Sequence, residues 1–219
     1  MGKFLLCLPG REQRQAKPVG DEPGSAMHIH QSVVEQGSGR NIFSAADGQA
    51  TPAFYHFIAG QQAALADFTL LFAPHVNSYQ RLCHPYASPN NACWSEDNRA
   101  AGLRIPASAA AARRVENRLP GADANPYLAL AASLAAGLHG IERQLQPSAP
   151  IQGEFEVPDE LTLPCTMHAA IERLKRSQLA RELFGEEFVA GYLASKTLEL
   201  ASFQDEITPW ERRVLAAQV

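Results

Sequence analysis

Apolar side chains recur at helical spacing in the segment that follows Thr51-Pro52. A threonine before a proline is typical of a helix start, because threonine can cap the first turn and proline needs no N–H partner there. Apolar residues then follow at spacings close to those of one helix face, and they are Phe54, Ile58, Leu65, Phe68 and Phe72. The pattern predicts a helix that packs on a core.

Four more helices are predicted nearer the C-terminus. Asn125-Pro126 begins one that is rich in alanine and leucine and runs to about Gln144. Its near-uniform apolarity predicts burial on most sides. A linker-like loop over 147–164 is followed by helices near 167–184 and 186–205. The helix over 186–205 has a predicted core stripe, formed by Val189, Leu193, Leu200 and Phe203. The T-P-W-E sequence of Thr208 to Glu211 is a capping box that predicts a final helix.

Two strand-like segments precede the first helix, at 26–34 and 41–44, and Asp47-Gly48 is predicted to form a turn. Between 77 and 120 the chain changes to short segments, turns and arginines. We therefore predict an α+β fold, in which helices enclose a region that contains the sheet and the site.

Charged side chains share one face of the predicted strands. Successive strand side chains point to opposite faces, so Arg114, Glu116 and Arg118 share a face, as do His28 and His30. Unpaired charge is costly to bury. Such a face either meets water, as on an exposed edge strand, or lines a site for anions and metal. Two charged strands together with a series of arginines favour the site.

Composition excludes several classes of function. The chain has 219 residues, of which 46% are hydrophobic and 19% charged, and this is ordinary for a globular protein. Its net charge of −4 argues against a nucleic-acid binder, and no apolar run approaches a membrane span. The four cysteines have no CxxC spacing and are interpreted as reduced thiols, which predicts a cytoplasmic protein. Residues 1–24 show no periodicity, and residues 1–16 are predicted to be a disordered lead-in.

The arginines provide the first candidate chemistry. They fall in short strand or turn segments, and they are Arg81, Arg99, Arg104, Arg114 and Arg118. Guanidinium groups bind carboxylates and phosphates and keep their charge in any environment. Their combined charge predicts a strongly negative ligand such as a nucleotide triphosphate, although a single surface arginine is usually only solvated.

Glu116 has two interpretations. It either neutralises the arginines on both sides of it or ligates a metal together with His28. One histidine and one glutamate are too few for a closed site, because Mg²⁺ prefers several oxygen ligands. The sequence also lacks a P-loop and a G-x-G-x-x-G fingerprint, so arginines and metal would have to hold any nucleotide.

Five segments together resemble the glutamine synthetase family. Residues 24–32, G-S-A-M-H-I-H-Q-S, resemble its G-S-G-M-H-x-H-Q-S motif, and residues 77–82, N-S-Y-Q-R-L, resemble N-S-Y-K-R-L. Residues 94–106 are similar to the element that ends in N-R-x-x-x-x-R-I-P. Residues 114–118 match R-[IV]-E-x-R, and 124–128 match A-N-P-Y-L. The style of several connecting segments is most similar to the γ-glutamylpolyamine (γ-glutamylputrescine) synthetase branch.

The resemblance implies an ATP-dependent ligase that joins glutamate to an amine or ammonia through γ-glutamyl phosphate. It also implies an antiparallel sheet that lines the site. The implied metal ligands for Mg²⁺ (or Mn²⁺) are His28 and Glu116. The implied nucleotide-binding residues are His30, Ser32, Arg99, Arg104 and Arg114. The implied glutamate-binding residues are Gly24, Arg81, Arg99 and Arg118, and the implied catalytic residues are Arg99, Arg104 and Arg118.

The sequence departs from the family pattern in three respects. Pro23 and Ala26 replace an asparagine and a glycine, and Ala87 stands where glutamine synthetases carry a flap glutamate, which weakens ammonia as the substrate. Family members are roughly twice this length. We therefore expect residues 17–219 to correspond to the C-terminal part of the catalytic domain, without the N-terminal β-grasp domain and the first catalytic section.

This length implies a gene fragment, a frameshift or a short gene, and it leaves two functions open. The first is the ligase, which in the family works as a homo-oligomer. The second is a non-catalytic fragment or pseudoenzyme that keeps the fold and partial nucleotide binding. A small unrelated anion-binding domain is a third and weaker alternative.

Overall fold

The computed structural model describes residues 15–83, 88–153 and 155–218. Cys7, His84 and Ala87 lie outside these ranges, and so does most of the predicted lead-in. The strands are β1 (Ile29–Gln31), β2 (Trp94–Glu96), β3 (Leu103–Ile105) and β4 (Val115–Asn117). The helices are α1 (Pro52–Leu65), α2 (Thr69–Phe72), α3 (Val76–Leu82), α4 (Pro126–Glu142), α5 (Met167–Arg176), α6 (Gln178–Phe184), α7 (Glu186–Gln204) and α8 (Pro209–Leu215). The predicted α+β class is confirmed.

The four strands form one sheet in the order β1-β4-β3-β2. β4 is antiparallel to both neighbours, with Glu116 opposite His30 of β1 and Arg104 of β3. β2 and β3 run parallel, so the expectation of an antiparallel sheet is wrong for this pair. Asp97 has a φ of 47° just after β2. The connection over 97–102 carries the chain back beside β2, and β3 therefore starts in the same direction.

The predicted strands are shorter than expected. Of 26–34 only the β1 residues are a strand, because the flanking residues make isolated bridges between Ala26 and Gly121 and between Val34 and Asn41. Segment 41–44 is likewise held by isolated bridges. The turn at Asp47-Gly48 is confirmed, since Gly48 has a φ of 85°.

α1 and α4 pack against each other at very short range. A Cβ atom on Gly140 would overlap the His56 carbonyl oxygen, and one on Gly60 would overlap the Ala136 carbonyl oxygen. The absence of side chains at these two positions therefore allows the helix backbones to touch. Beside this contact, Phe43 packs on Phe57 with ring centroids 5.1 Å apart, in the centre of the hydrophobic core.

A buried polar network joins these helices to the sheet. The Ser133 hydroxyl of α4 donates to the Gln31 side-chain oxygen of β1 at 2.5 Å and accepts from the Asn117 amide of β4 at 3.2 Å. The Gln61 amide of α1 also donates to Gln31, at 3.1 Å. Each contact satisfies polar atoms that would be costly to bury alone. We call these four residues the core polar network.

The predicted burial of α4 on most sides is wrong. Ala129, Ala132, Ala136 and both glycines are buried, whereas Leu130, Leu134 and Leu138 are exposed at 49%, 43% and 39%. The spacing of four residues places these leucines on one helix face. Apolar composition without alternation could not distinguish the two faces.

Two predicted helices are interrupted. The segment 167–184 breaks at Ser177, whose hydroxyl accepts a hydrogen bond from the Ala180 N–H and caps α6. The helix after Thr51 ends at Leu65, and α2 follows as a separate turn. Thr51 lies at the predicted cap position, but its hydroxyl donates to the Ile42 carbonyl.

The C-terminal helices agree more closely with the sequence. The capping box of Thr208 and Glu211 is confirmed. In the stripe predicted for α7, Val189 is buried, and Leu193 and Leu200 are partly buried against the core. Phe203 is 48% exposed and does not belong to it. Within the described ranges, no helix is long and apolar enough to cross a membrane.

Candidate functional site

Strand alternation collects the charged side chains on one face of the sheet. Glu116 lies in the middle of β4, with His30 on one neighbouring strand and Arg104 on the other. The residues of opposite parity, such as Val115 and Leu103, are fully buried in the core. The predicted separation into a charged face and an apolar face is therefore confirmed.

Glu116 is the buried centre of an ion cluster. Its Oε2 accepts from Arg104 Nη1 at 2.8 Å, and its Oε1 accepts from Arg118 Nη1 at 3.3 Å. His28 Nδ1 lies 3.0 Å from the same Oε1. The Glu116 side chain is 3% exposed and that of Arg118 is 8% exposed. We call these four residues the Glu116 cluster.

With Asp97 beside it, the cluster is close to charge balance. Two guanidinium groups share one carboxylate, and Arg104 receives further compensation from Asp97, whose Oδ1 accepts from Arg104 Nε at 3.2 Å. Arg118 Nε is buried and has no hydrogen-bond partner in the described part of the chain. A buried donor without a partner is costly. The cluster is therefore suited to bind an anion.

Burial and neighbouring charge shift the pKa values of the cluster. Burial lowers the pKa of His28, and Arg118 lowers it further, while Glu116 acts in the opposite direction. Burial also lowers the pKa of Arg118 against the effect of Glu116. The hydrogen bond to Asp97 is the main cause of a raised pKa at Arg104. The neutral form of His28 is thus favoured, and a neutral imidazole is the form that binds metals.

Arg81 lies in α3 and not in the predicted strand or turn, and from there it supports the backbone beside the cluster. Its guanidinium donates to the carbonyl oxygens of Leu119 at 2.7 Å and Arg118 at 3.0 Å, and burial lowers its pKa to about 10. A Cβ atom on Gly24 would lie 2.8 Å from Arg81 Cγ and 2.6 Å from the Ala16 carbonyl oxygen. Only glycine leaves room for this contact. Gly24 and Arg81 are thus packed together, and the Arg81 guanidinium donates to backbone carbonyls and does not point into open space.

The remaining predicted residues lie at the edge of this face. Arg114 donates from Nε to His30 Nδ1 at 3.2 Å, which joins two of the predicted nucleotide-binding residues. Ser32 and Arg99 are exposed, and the structure does not join them to the Glu116 cluster by a hydrogen bond within the described ranges. The charge of Arg99 nevertheless helps to lower the pKa of Asp97, after the larger effect of Arg104.

Sequence reasoning missed Asp97. It is the acidic partner of Arg104, and its left-handed backbone ends β2. The available signal was its place in Glu96-Asp97-Asn98-Arg99, an acidic turn directly before an arginine.

The cluster offers two adjacent donors to a divalent cation. His28 Nδ1 and Glu116 Oε1 are 3.0 Å apart, which is about the separation of neighbouring ligands around an octahedral Mg²⁺ with bonds of ~2.1 Å. No group of three or more His, Cys, Asp or Glu residues lies together within the described ranges. These two residues fit the ion as part of a larger ligand set, in which phosphate oxygens and water are natural members.

The fold is mixed α+β, and its sheet presents a buried carboxylate among arginines and a histidine. This arrangement is suited to an anion beside a divalent cation. The sequence of the chain matches the family model of the glutamine synthetase catalytic domain over residues 14–215. The chain therefore belongs to the glutamine synthetase family.

Individual relatives agree with this assignment. The chain is 42% identical over 190 residues to a γ-glutamylethanolamide synthetase of Streptomyces coelicolor, which covers 87% of the chain and 40% of the relative. It is 37% identical over 201 residues to a glutamate–isopropylamine ligase of a Pseudomonas species, covering 90% and 44%. With a γ-glutamylputrescine synthetase of Escherichia coli the identity is 36% over 196 residues, covering 90% and 41%.

A solved structure, "Apo GmaS without ligand", superimposes with a TM-score of 0.80 at 32% identity and covers 92% of this chain and 47% of that one. The chain thus spans less than half the length of these relatives.

Proposed function

We propose that this chain carries the phosphoryl-transfer site of a ligase that forms a γ-glutamyl amide from glutamate, an amine and ATP. The observation that supports the proposal is the Glu116 cluster, in which one buried carboxylate holds two arginines and a histidine on the same sheet face. Phosphoryl transfer is mostly a matter of positioning and charge stabilisation, and a fixed array of guanidinium groups supplies both.

The reaction takes two steps. A γ-carboxylate oxygen of glutamate attacks the γ-phosphorus of ATP, the bond to the bridging oxygen breaks, and ADP leaves. The amine nitrogen then attacks the carbonyl carbon of γ-glutamyl phosphate, inorganic phosphate leaves, and the nitrogen loses a proton. Negative charge moves between oxygens in both steps. Arg104 and Arg99 are proposed to neutralise it, with Arg118 as the third catalytic arginine.

The two substrates are assigned to opposite sides of the Glu116 cluster. Arg118 and Gly24 are proposed to contact glutamate, because Glu116 engages only Nη1 of the Arg118 guanidinium within the described ranges. Arg81 is proposed to act on the same side through the Arg118 and Leu119 carbonyls that it holds.

The nucleotide is proposed to bind at the His30–Arg114 pair and Ser32, which lie at the exposed edge of the sheet. Arg99 and Arg104 would complete this side. His28 and Glu116 would hold Mg²⁺ or Mn²⁺, which screens charge between phosphate oxygens when bound.

The amine is proposed to be an alkylamine or polyamine rather than ammonia. Three relatives are named for an ethanolamide, isopropylamine and putrescine. Ala87, which stands in place of the flap glutamate, lies outside the described residues. A homo-oligomeric assembly is part of the same proposal.

The test is phosphate release from ATP by the purified chain with Mg²⁺, glutamate and a panel of ammonia, ethanolamine, isopropylamine, putrescine and longer polyamines. Calorimetric titration with ATP and Mg²⁺ measures nucleotide affinity separately. Arg104→Ala should lower amine-dependent turnover by about 100-fold, because one charge-stabilising donor is lost. Arg40→Ala is the matched control, since Arg40 is exposed and pairs only with exposed Glu35 among the described residues. Equal effects in both variants would contradict the assignment.

A second candidate is a non-catalytic member of the family that binds nucleotide. It is favoured by the engagement of both Glu116 oxygens with arginine and histidine, which makes Glu116 a satisfied structural counter-ion. Its signature would be ATP binding that Arg104→Ala weakens, without phosphate release for any amine.

A further inference from the structure

Two cysteines meet where α3 ends and α5 begins. Cys83 follows the last residue of α3, and Cys165 precedes Thr166, the N-cap of α5. Cys83 Sγ donates a hydrogen bond to the Cys165 carbonyl oxygen at 3.3 Å. Both cysteines are exposed, whereas Cys93 is buried. Both also line a cavity of about 430 Å³, so reagents in solution can reach them.

The two thiols have different surroundings. The Asn90 side-chain amide donates to Cys165 Sγ at 2.8 Å. Cys165 Sγ also lies 3.9 Å from the Leu163 carbonyl oxygen. Although Cys83 is exposed as a residue, partial burial of its thiol, and next the hydrogen bond to Cys165, raise its pKa to about 12. Cys83 is thus the less reactive thiol of the pair, which leaves Cys165 to react first.

We propose that Cys83 and Cys165 form a dithiol–disulfide pair that oxidises within one chain, with a small disulfide such as glutathione disulfide as the oxidant. The Cys165 thiolate attacks one sulfur of the oxidant, whose S–S bond breaks and releases one glutathione thiolate. Cys83 then loses its proton to water and attacks Cys165 Sγ, which releases the second. Two protein thiols are oxidised, and one glutathione disulfide is reduced to two glutathione thiols.

The bond would join parts of the chain that are 82 residues apart. Closing a loop of this length restricts the unfolded chain and so stabilises the folded one. Cys83 is two residues after Arg81, which holds the Arg118 and Leu119 carbonyls. Oxidation would therefore link the end of α3, the helix that carries Arg81, covalently to the start of α5.

The experiment incubates the reduced, purified chain with excess glutathione disulfide, alkylates the remaining thiols and maps the peptides by mass spectrometry. Of the four cysteines, two should resist alkylation, in one crosslinked peptide pair that contains Cys83 and Cys165. The oxidised chain should melt about 5–10 °C above the reduced chain. Four alkylated thiols, or a disulfide between different residues or different chains, would overturn the proposal.

Single variants separate the roles of the two thiols. Cys83→Ser should accumulate a stable glutathione adduct on Cys165, because the attacking partner is missing. Cys165→Ser should leave Cys83 free of adduct under the same conditions, owing to its protonated state. Cys7→Ser serves as the matched control and should form the same crosslink as the unmodified chain. Because the peptide map of the unmodified chain needs no variant, it decides the proposal even where a variant fails to fold.

Discussion

Replacing Glu116 by glutamine should destabilise the protein strongly. The change keeps the shape of the side chain but removes the only negative charge that contacts Arg118 in the described structure. The Arg118 side chain is 8% exposed, so water cannot replace the lost partner. Leaving one member of a buried ion pair without compensation costs roughly 3–5 kcal/mol.

The lower end of that range applies here. Arg104 also loses Glu116, but it keeps Asp97 and is more exposed, at 18% of its side chain. The uncompensated charge is therefore mainly that of Arg118. We expect a loss of about 3 kcal/mol, which corresponds to a fall in Tm of roughly 6–12 °C for a chain of this size.

Urea unfolding followed by far-UV circular dichroism measures the free energy of unfolding. Glu35→Gln is the matched control, because its ion pair with Arg40 is 3.7 Å long and exposed on both sides. Glu35→Gln should lower the free energy of unfolding by no more than about 1 kcal/mol. Adding Arg118→Met to Glu116→Gln should recover part of the loss, since the uncompensated charge is then removed. A Glu116→Gln variant as stable as the control would refute the reasoning, and so would a double variant whose losses simply add.

Three further predictions concern packing, capping and pH. Gly140→Ala should destabilise the protein by about 1–3 kcal/mol, because the added methyl overlaps the α1 backbone. Gly191→Ala, where the methyl meets open space, should be neutral or stabilising. Thermal melting compares the two variants, and equal shifts in Tm would contradict the close packing of α1 and α4. Ser177→Ala should cost about 1 kcal/mol in urea unfolding through loss of the α6 cap, and an unchanged midpoint would count against that cap. Burial raises the pKa of Glu199, but hydrogen bonds from Lys196 and His75 outweigh it and lower the pKa below 4.5. The stabilisation by Glu199 is thus present above pH 4.5 and is lost as the pH falls further. Glu199→Gln should therefore be less stable than the unmodified chain at pH 6, and the two stabilities should converge in acid. A difference in stability that does not change with pH would contradict this dependence.

The charged face could be predicted from the sequence because it depends only on alternation. Arg114, Glu116 and Arg118 must share a side in any extended strand, and the pairing of β4 with β1 and β3 then adds His30 and Arg104. The family motifs located the same residues independently.

The direction of each guanidinium could not be predicted. Arg81 and Arg104 are equally suited to bind an anion in the sequence, yet Arg81 binds two backbone carbonyls and Arg104 binds two carboxylates. These partners are distant in sequence and are set by tertiary packing. The exposed leucines of α4 were missed for a related reason, because an almost wholly apolar helix carries no polar face to orient it.

The core polar network determines which of several acceptable pairings the sheet adopts. A shift of β1 by two residues against β4 would keep every side chain on its present face, so alternation cannot forbid it. It would place His28 directly opposite Glu116 and move Gln31 away from Ser133. Because Ser133 binds both Gln31 and Asn117, such a shift would leave several buried polar atoms without hydrogen-bond partners. Four uncharged side chains on the opposite side of the sheet therefore hold the register in which His30 lies opposite Glu116 while His28, two residues earlier, contacts the carboxylate.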